Sequence, residues 1–233
     1  MARILSGKLQ ASRTVPASPR AGDQLPGETQ IRQAAQGQRV QPRHGTGKKQ
    51  GQILTLLYGN VQSVSRKIGK LAAKICEINP DLILLTETWL NSSTNNAALS
   101  IEGYDIVPEL RLDRNTTAGG VGGGLLVYVR DGLTVVPYAA RCGFHQHCSF
   151  KLLTESGALD FILIYRPPST GAENIGELCK LLEGVKMNTF IIGDFNLPGT
   201  KWEEEIYDSR GRPVLEAAME AGLEQLVEGP THI

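Results

Sequence analysis

"TFIIGDFNLPGTKW", residues 189–202, sets an apolar run against a polar tip. Phe190, Ile191 and Ile192 read as a strand covered on both faces, and Pro198-Gly199 stop it. Residues i and i+2 of an extended chain share a face. The pattern therefore predicts Asp194 and Asn196 on one side and Phe195 on the other. A carboxylate and an amide then sit together at the tip of a buried strand, where unpaired polar groups are costly. Two readings are open at this point. Asp and Asn bond their own backbone and so make turns; alternatively, the pair belongs to a site.

Outward from this strand, "ILTLLYGNV" (53–61) reads as a buried strand ending near Asn60. Ser63 is a candidate N-cap, Ile68, Leu71, Ile75 and Ile78 recur at helical spacing, and Pro80 closes the helix. "DLILLTETWL" (81–90) is a second apolar strand with Glu87 at its far end, which makes a strand–helix–strand crossover. "YDIVPELRLDR", "GGGLLVYVRDG", "LTVVPY", "CSFKLL" and "ALDFILIYRPP" follow at short spacing and predict hairpins. "TGAENIGELCKLLEGV" (170–185) and "GRPVLEAAMEAGLEQLV" (211–227) read as helices, the second with Pro213 near its start and Gly222 at its end. The fold class is α/β: two packed mixed β-sheets flanked by helices, a four-layer sandwich.

The charge of the 233 residues sums to zero but is unevenly placed. Residues 1–50 hold nine Lys/Arg and two Asp/Glu, a net +7, which leaves 15 against 22, a net −7, for residues 51–233. With eight Gln, four Pro and no aromatic residue, residues 1–50 read as a disordered basic tail. The first reading is a tail with no specific role; Arg3, Arg13, Arg20, Arg32, Arg39, Arg43, Lys48 and Lys49 would suit nucleic acid, and a transit peptide is a further reading. Residues 51–233 form the folded domain. No secretory apolar segment and no 18-residue apolar run occurs, so the expectation is an intracellular protein, nuclear or cytoplasmic, without membrane contact. Cys76, Cys142, Cys148 and Cys179 are then reduced thiols. "RCGFHQHCSF" (141–150) lacks a zinc-finger spacing and reads as a loop entering a strand.

Several apolar strands end in one polar side chain: Asn60, Glu87, Tyr165, and Asp194 with Asn196. Carboxylates suit hard cations, and Mg²⁺ takes one or two of them, leaving its other positions to water and substrate phosphate. Amides and a phenol donate to phosphate oxygens. The set suits metal-assisted attack of water on a phosphate ester. "AGGVGGGLLVYVR" (118–130) reads as a tight turn entering a strand, because no helix follows it to cradle a phosphate.

In order along the chain, "GNVQS" (59–63), "PDLILLTETWL" (80–90), "YRPPS" (165–169), "IIGDFNLPGTKW" (191–202) and "LEQLVEGPTH" (223–232) resemble the endonuclease/exonuclease/phosphatase family. They look specifically like the endonuclease domain of non-LTR retrotransposon polyproteins. The resemblance implies Glu87 as the principal Mg²⁺ ligand, with Mn²⁺ as the alternative ion, and Asn60 assisting the metal and phosphate site. It implies Tyr165 on the scissile phosphate, Asp194 orienting or deprotonating water, and Asn196 holding the transition-state phosphate. Arg111 and Arg114 read first as solvated loop charges, with contact to a DNA backbone as the alternative the resemblance implies. The implied activity is DNA nicking that leaves a 3′-hydroxyl. No reverse-transcriptase region is present in the chain. The family pattern continues beyond "PTH" to a closing Ser-Asp-His, so the chain ending at Ile233 is expected to be C-terminally truncated and inactive or nearly so alone. The competing readings are a catalytically dead remnant, or the same fold acting on abasic DNA or a phosphoinositide.

Overall fold

The computed structural model describes residues 2–6, 10–16, 53–114, 122–140, 142–168, 170–200 and 206–226. Its strands are β1 (Ala2–Ser6), β2 (Gln10–Pro16), β3 (Ile53–Asn60), β4 (Leu82–Thr86), β5 (Tyr104–Ile106), β6 (Leu125–Arg130), β7 (Thr134–Tyr138), β8 (His147–Thr154), β9 (Gly157–Tyr165), β10 (Thr189–Asp194) and β11 (Leu223–Gln225). Its α-helices are α1 (Ile68–Ile78), α2 (Ala172–Glu183) and α3 (Gly211–Glu220). One sheet has the order β11-β1-β10-β9-β8-β7 and the other β2-β3-β4-β6-β5. Both are mixed: β10 runs parallel to β9 while β8 runs antiparallel to it, and β3 runs parallel to β4 while β6 runs antiparallel.

Period-two alternation sorts the apolar side chains into three layers. Leu54, Leu56, Leu82, Leu84, Val127, Phe150, Phe161, Leu163, Phe190 and Ile192 fill the space between the sheets. Phe161 stacks on Phe150 and Phe190 there, with ring centroids 5.2 Å apart in each pair. The opposite residues of the same strands meet the helices. Ile162, Ile164 and Ile191 pack on Leu178 and Leu182 of α2 and on Val214 and Ala217 of α3. Leu57, Ile83, Leu85 and Leu126 pack on Leu71 and Ile75 of α1. The four-layer sandwich expected from the sequence is the fold.

Two expectations change. Ala2–Ser6 and Gln10–Pro16 lie in the segment read as a basic tail, yet they are strands: β1 is parallel to β10 and β11, and β2 is antiparallel to β3. An open sheet edge recruits an extended chain through main-chain groups, which composition does not register. Residues 1, 7–9 and 17–50 of that segment lie outside the described residues. Ser63 does not cap α1, whose N-cap is Lys67 with no side-chain bond. Ser63 is instead at φ 79°, and its N–H donates to Glu87 O at 2.9 Å. Flanking bonds from Val61 N to Thr86 O (3.0 Å) and Val64 N to Thr88 O (3.1 Å) zip the segments that follow β3 and β4 together.

Gly193 is where β10 comes closest to β9. A Cβ built on it would lie 1.9 Å from Ile164 O, and its φ is 155°. Since the obstacle is main chain, the sheet itself must shift to admit a methyl group. Gly193→Ala should destabilise the chain by about 3 kcal/mol, at the upper end of overpacking costs, read as a lower denaturant midpoint.

Candidate active site

Inward parity in β3, β9 and β10 carries Asn60, Tyr165 and Asp194 to one edge of the sandwich, whereas Glu87, which the alternation of β4 would aim at the helix side, reaches that edge by leaving the strand at φ 56°. Asn60 ends β3, Glu87 directly follows β4, Tyr165 ends β9 and Asp194 ends β10, in register with Tyr165. Two side-chain hydrogen bonds cross from sheet to sheet there. Asn60 Nδ2 donates to Asp194 Oδ2 at 2.7 Å, and Tyr165 Oη donates to Glu87 Oε1. Below them, Tyr58 Oη and Thr86 Oγ1 lie 3.1 Å apart across one sheet.

Glu87 is held from three directions. Trp89 Nε1 donates to its Oε2 at 2.6 Å and Gly123 N donates to the same oxygen at 2.8 Å, while Tyr165 occupies Oε1. Glu87 has φ 56° and Trp89 φ 55°. Each non-glycine residue in the left-handed region costs about 1–3 kcal/mol, and such strain gathers where a chain must aim a group. Here it turns both Glu87 and Trp89 toward the cleft. Gly122, Gly123 and Gly124 pass at φ 82°, 83° and 92°. A Cβ on Gly122 would meet Glu87 Oε2 at 3.0 Å, and one on Gly124 would meet Thr88 Oγ1 at 2.4 Å. Gly122–Gly124 lead into β6 and cradle a carboxylate, while residues 118–121 of the glycine run lie outside the described residues. Trp89 and Gly123 were not among the residues expected at the site. Trp89 carried a signal, standing two positions after Glu87.

Asp194 and Asn196 meet by a different route from the one the pleat suggests. The strand ends at Asp194, and Asn196 is at φ 47°, which takes it out of the pleat. Asn196 N donates to Asp194 Oδ1 at 3.1 Å, so the pair makes an Asx turn inside the site. The amide Nδ2 of Asn196 donates to Arg166 O at 2.6 Å. Of the two arginines, Arg111 is corrected: its five N–H groups go to Asp113 Oδ1 (2.7 Å) and Oδ2 (3.1 Å), Thr94 O (2.8 Å), Asn96 Oδ1 (2.5 Å) and Asn91 O (2.8 Å). It fastens the 91–96 loop and has no N–H left for a DNA phosphate. Arg114 N donates to Leu90 O at 2.9 Å.

Cys148 faces the inter-sheet core, which pushes its thiol up to about 12. Burial lowers the His147 pKa, and His147 Nδ1 lies 2.5 Å from Phe144 O. Residues 142–146 form a loop and β8 follows, as expected. Among the described residues, no three His, Cys, Asp or Glu side chains group closely enough to hold a metal ion. What the edge offers a hard cation is two carboxylates, Glu87 and Asp194, and Asn60 Oδ1, which is buried without a hydrogen-bond partner; of these, Glu87 and Asn60 Oδ1 are the set the sequence reading assigned to the metal. One carboxylate and one amide oxygen fit Mg²⁺, which leaves its remaining positions to water and phosphate.

Residues 159–233 match a family model described as endonuclease-reverse transcriptase. The endonuclease domain of TRAS1, a telomere-specific non-LTR retrotransposon, superposes with a TM-score of 0.55 at 18% identity, over 75% of this chain and 75% of that one. The fold is that of the endonuclease/exonuclease/phosphatase proteins. The resemblance read from the sequence motifs is thereby borne out. Two further proteins of this fold are similar. AP endonuclease LMAP from Leishmania major gives a TM-score of 0.52 at 16% identity, over 71% of this chain and 66% of that one. The 3′ phosphatase NExo from Neisseria, bound to product DNA hairpin, gives 0.50 at 15% identity, over 72% and 71%. No curated protein matches the chain.

Burial, the bond to Glu87 and the charges of Glu87 and Asp194 push the Tyr165 phenol well above its ordinary value. Burial first, then Asp194, raises Tyr58 too. Both phenols therefore keep their protons in the folded chain at pH values where the unfolded chain releases them. Their stabilisation is complete below about pH 10 and is lost as pH rises beyond it. The denaturant midpoint should fall from pH 9.5 upward, and less steeply in Tyr165→Phe.

Proposed function

We propose that this domain is a Mg²⁺-dependent DNA endonuclease of the retroelement type, which nicks target DNA and leaves a 3′-hydroxyl. The observation that carries the reading is the meeting of Asn60, Glu87, Tyr165 and Asp194 at one edge, joined by the Asn60–Asp194 and Tyr165–Glu87 bonds. The motif series and the family match over residues 159–233 support the retroelement assignment, and the Neisseria protein bound to a DNA hairpin supports the substrate.

In this mechanism Asp194 accepts a proton from a water molecule whose oxygen bonds to phosphorus. The bond from phosphorus to O3′ breaks, and O3′ leaves to take up a proton, giving a 3′-hydroxyl and a 5′-phosphate. Asn60 Nδ2 keeps one Asp194 oxygen fixed and the Asn196 main-chain N–H fixes the other, so the carboxylate meets the water in one orientation. Tyr165 remains protonated and donates to a phosphate oxygen when substrate displaces its bond to Glu87. Glu87 and Asn60 Oδ1 would hold Mg²⁺, which would supply positive charge to the non-bridging oxygens. The reading places the enzyme inside the cell, nuclear or cytoplasmic. Among the described residues no helix is long and apolar enough to cross a membrane.

The test is nicking of supercoiled plasmid by the full chain, which the missing Ser-Asp-His pattern predicts to be inactive or nearly so and which this reading predicts to be active. Nicking should need Mg²⁺ or Mn²⁺, stop with EDTA, and fall by about 10²–10³-fold or more in Asp194→Ala and Glu87→Gln. Absence of nicking, or nicking indifferent to EDTA and to both substitutions, overturns the reading. Metal binding has a separate readout. The chain has two tryptophans, Trp89 and Trp202, and Trp89 Nε1 is bonded to Glu87. In a Trp202→Phe background, Mg²⁺ should change Trp89 emission, and Glu87→Gln should abolish the change.

A further inference from the structure

We propose that Arg166 is the positioning residue of the Asp194–Asn196 turn, holding it in its productive shape from behind the site. Arg166 follows Tyr165 in "YRPPS" and is fully buried, at 0% exposure. A buried guanidinium is costly unless its N–H groups find acceptors, and here the acceptors are main-chain carbonyls. Its Nη1 donates to Asn196 O at 2.9 Å and Phe195 O at 3.3 Å, and its Nη2 to Thr170 O at 3.2 Å. The Arg166 main chain completes the hold: its N donates to Asp194 O at 2.9 Å, and its O accepts from Asn196 Nδ2 at 2.6 Å. Four of the five bonds therefore end on residues 194–196.

The target of those bonds is the strained part of the turn. Asn196 is a non-glycine residue at φ 47°, a conformation that persists only when its surroundings over-determine it. Arg166 grips Asn196 at both its carbonyl and its side-chain amide. Without the guanidinium, Asn196 can relax toward negative φ, which swings its N–H away from Asp194 Oδ1. Asp194 then keeps its bond to Asn60 alone and no longer presents one fixed orientation. The sheet does not need this side chain, since β9 and β10 are already paired in register from Thr189–Asp160 to Asp194–Tyr165. A lysine at 166 keeps the charge but lacks the planar fork that reaches carbonyls on both sides. The catalytic consequence rests on the reading of Asp194 as the group that orients water; the geometric hold does not.

The experiment uses the ¹⁵N-labelled full chain, the Asn196 side-chain amide signal, and Arg166→Lys and Arg166→Met. The acceptor for Asn196 Nδ2 is the main-chain oxygen of residue 166, which substitution leaves in place, so the signal reports movement of the turn. Exchange of the Nδ2 protons with solvent should quicken about tenfold in Arg166→Lys and more in Arg166→Met. The Gly123 amide, bonded to Glu87, serves as the reference and should not change. If Arg166→Met does not fold, Arg166→Lys decides. An unchanged Asn196 signal in a folded variant, or equal change at Gly123, overturns the proposal. Where the wild-type chain nicks DNA, Arg166→Lys should lower kcat by about 10²-fold, the scale of a 1 Å misplacement, with KM unchanged. It should add nothing to Asn196→Ala. A wild-type chain that does not nick sinks the endonuclease reading and leaves the amide measurement to decide Arg166.

Discussion

Hydrogen bonds between side chains of opposite sheets, Asn60 to Asp194 and Tyr165 to Glu87, are the constraint on which the site depends. Each bond needs two strands from different sheets to end at the same level, with Asn60, Tyr165 and Asp194 pointing inward as final residues and Glu87 turned inward just past the end of β4. Packing of the inter-sheet layer sets that level. Leu54, Leu56 and Tyr58 lead up to Asn60 as Phe161 and Leu163 lead up to Tyr165, every second residue entering the same core. A one-residue slip in any of these strands would send its tip to the helix side. The polar edge is therefore the terminal row of the hydrophobic core, and its accuracy is borrowed from that core.

The layers were legible in the sequence because alternation and helical spacing follow from burial, which a one-dimensional pattern records directly. Strand tips were legible for the same reason: Asn60, Glu87, Tyr165 and Asp194 interrupt apolar runs. What the pattern does not record is where the main chain leaves the strand. "TETWL" reads as continuing strand, but β4 stops at Thr86 and Glu87 turns to φ 56° because the glycine run opposite leaves room for it. Asn196 is similar: its pairing with Asp194 was foreseen, but through the pleat, and it comes about through a turn that bonds Asp194 to the main chain.

The sequence named Arg111 only as a loop charge or DNA contact and assigned Arg166 no role, for an opposite cause. An arginine in a motif or loop reads as exposed charge in search of an anion. Arg111 instead spends all five N–H groups on its own chain, Asp113 included, and Arg166 spends its two terminal nitrogens on main-chain carbonyls while its Nε is buried without a partner. A guanidinium's five donors make it as useful for fastening loops as for gripping phosphate, and only three-dimensional context separates the two uses. Strands β1 and β2 escaped because main-chain pairing needs almost nothing from side chains.

The two bonds that join the sheets link residues 134 and 78 positions apart. Contacts so distant close late, after the local hairpins and helices have formed. During synthesis the first half of the chain carries Asn60 and Glu87 but neither of their cross-sheet partners, and Asp194 reaches the edge only when β10 has left the ribosome and docked. Chemistry at this edge would thus be silent in nascent and partly folded chains, and the completed sandwich would act as its own switch.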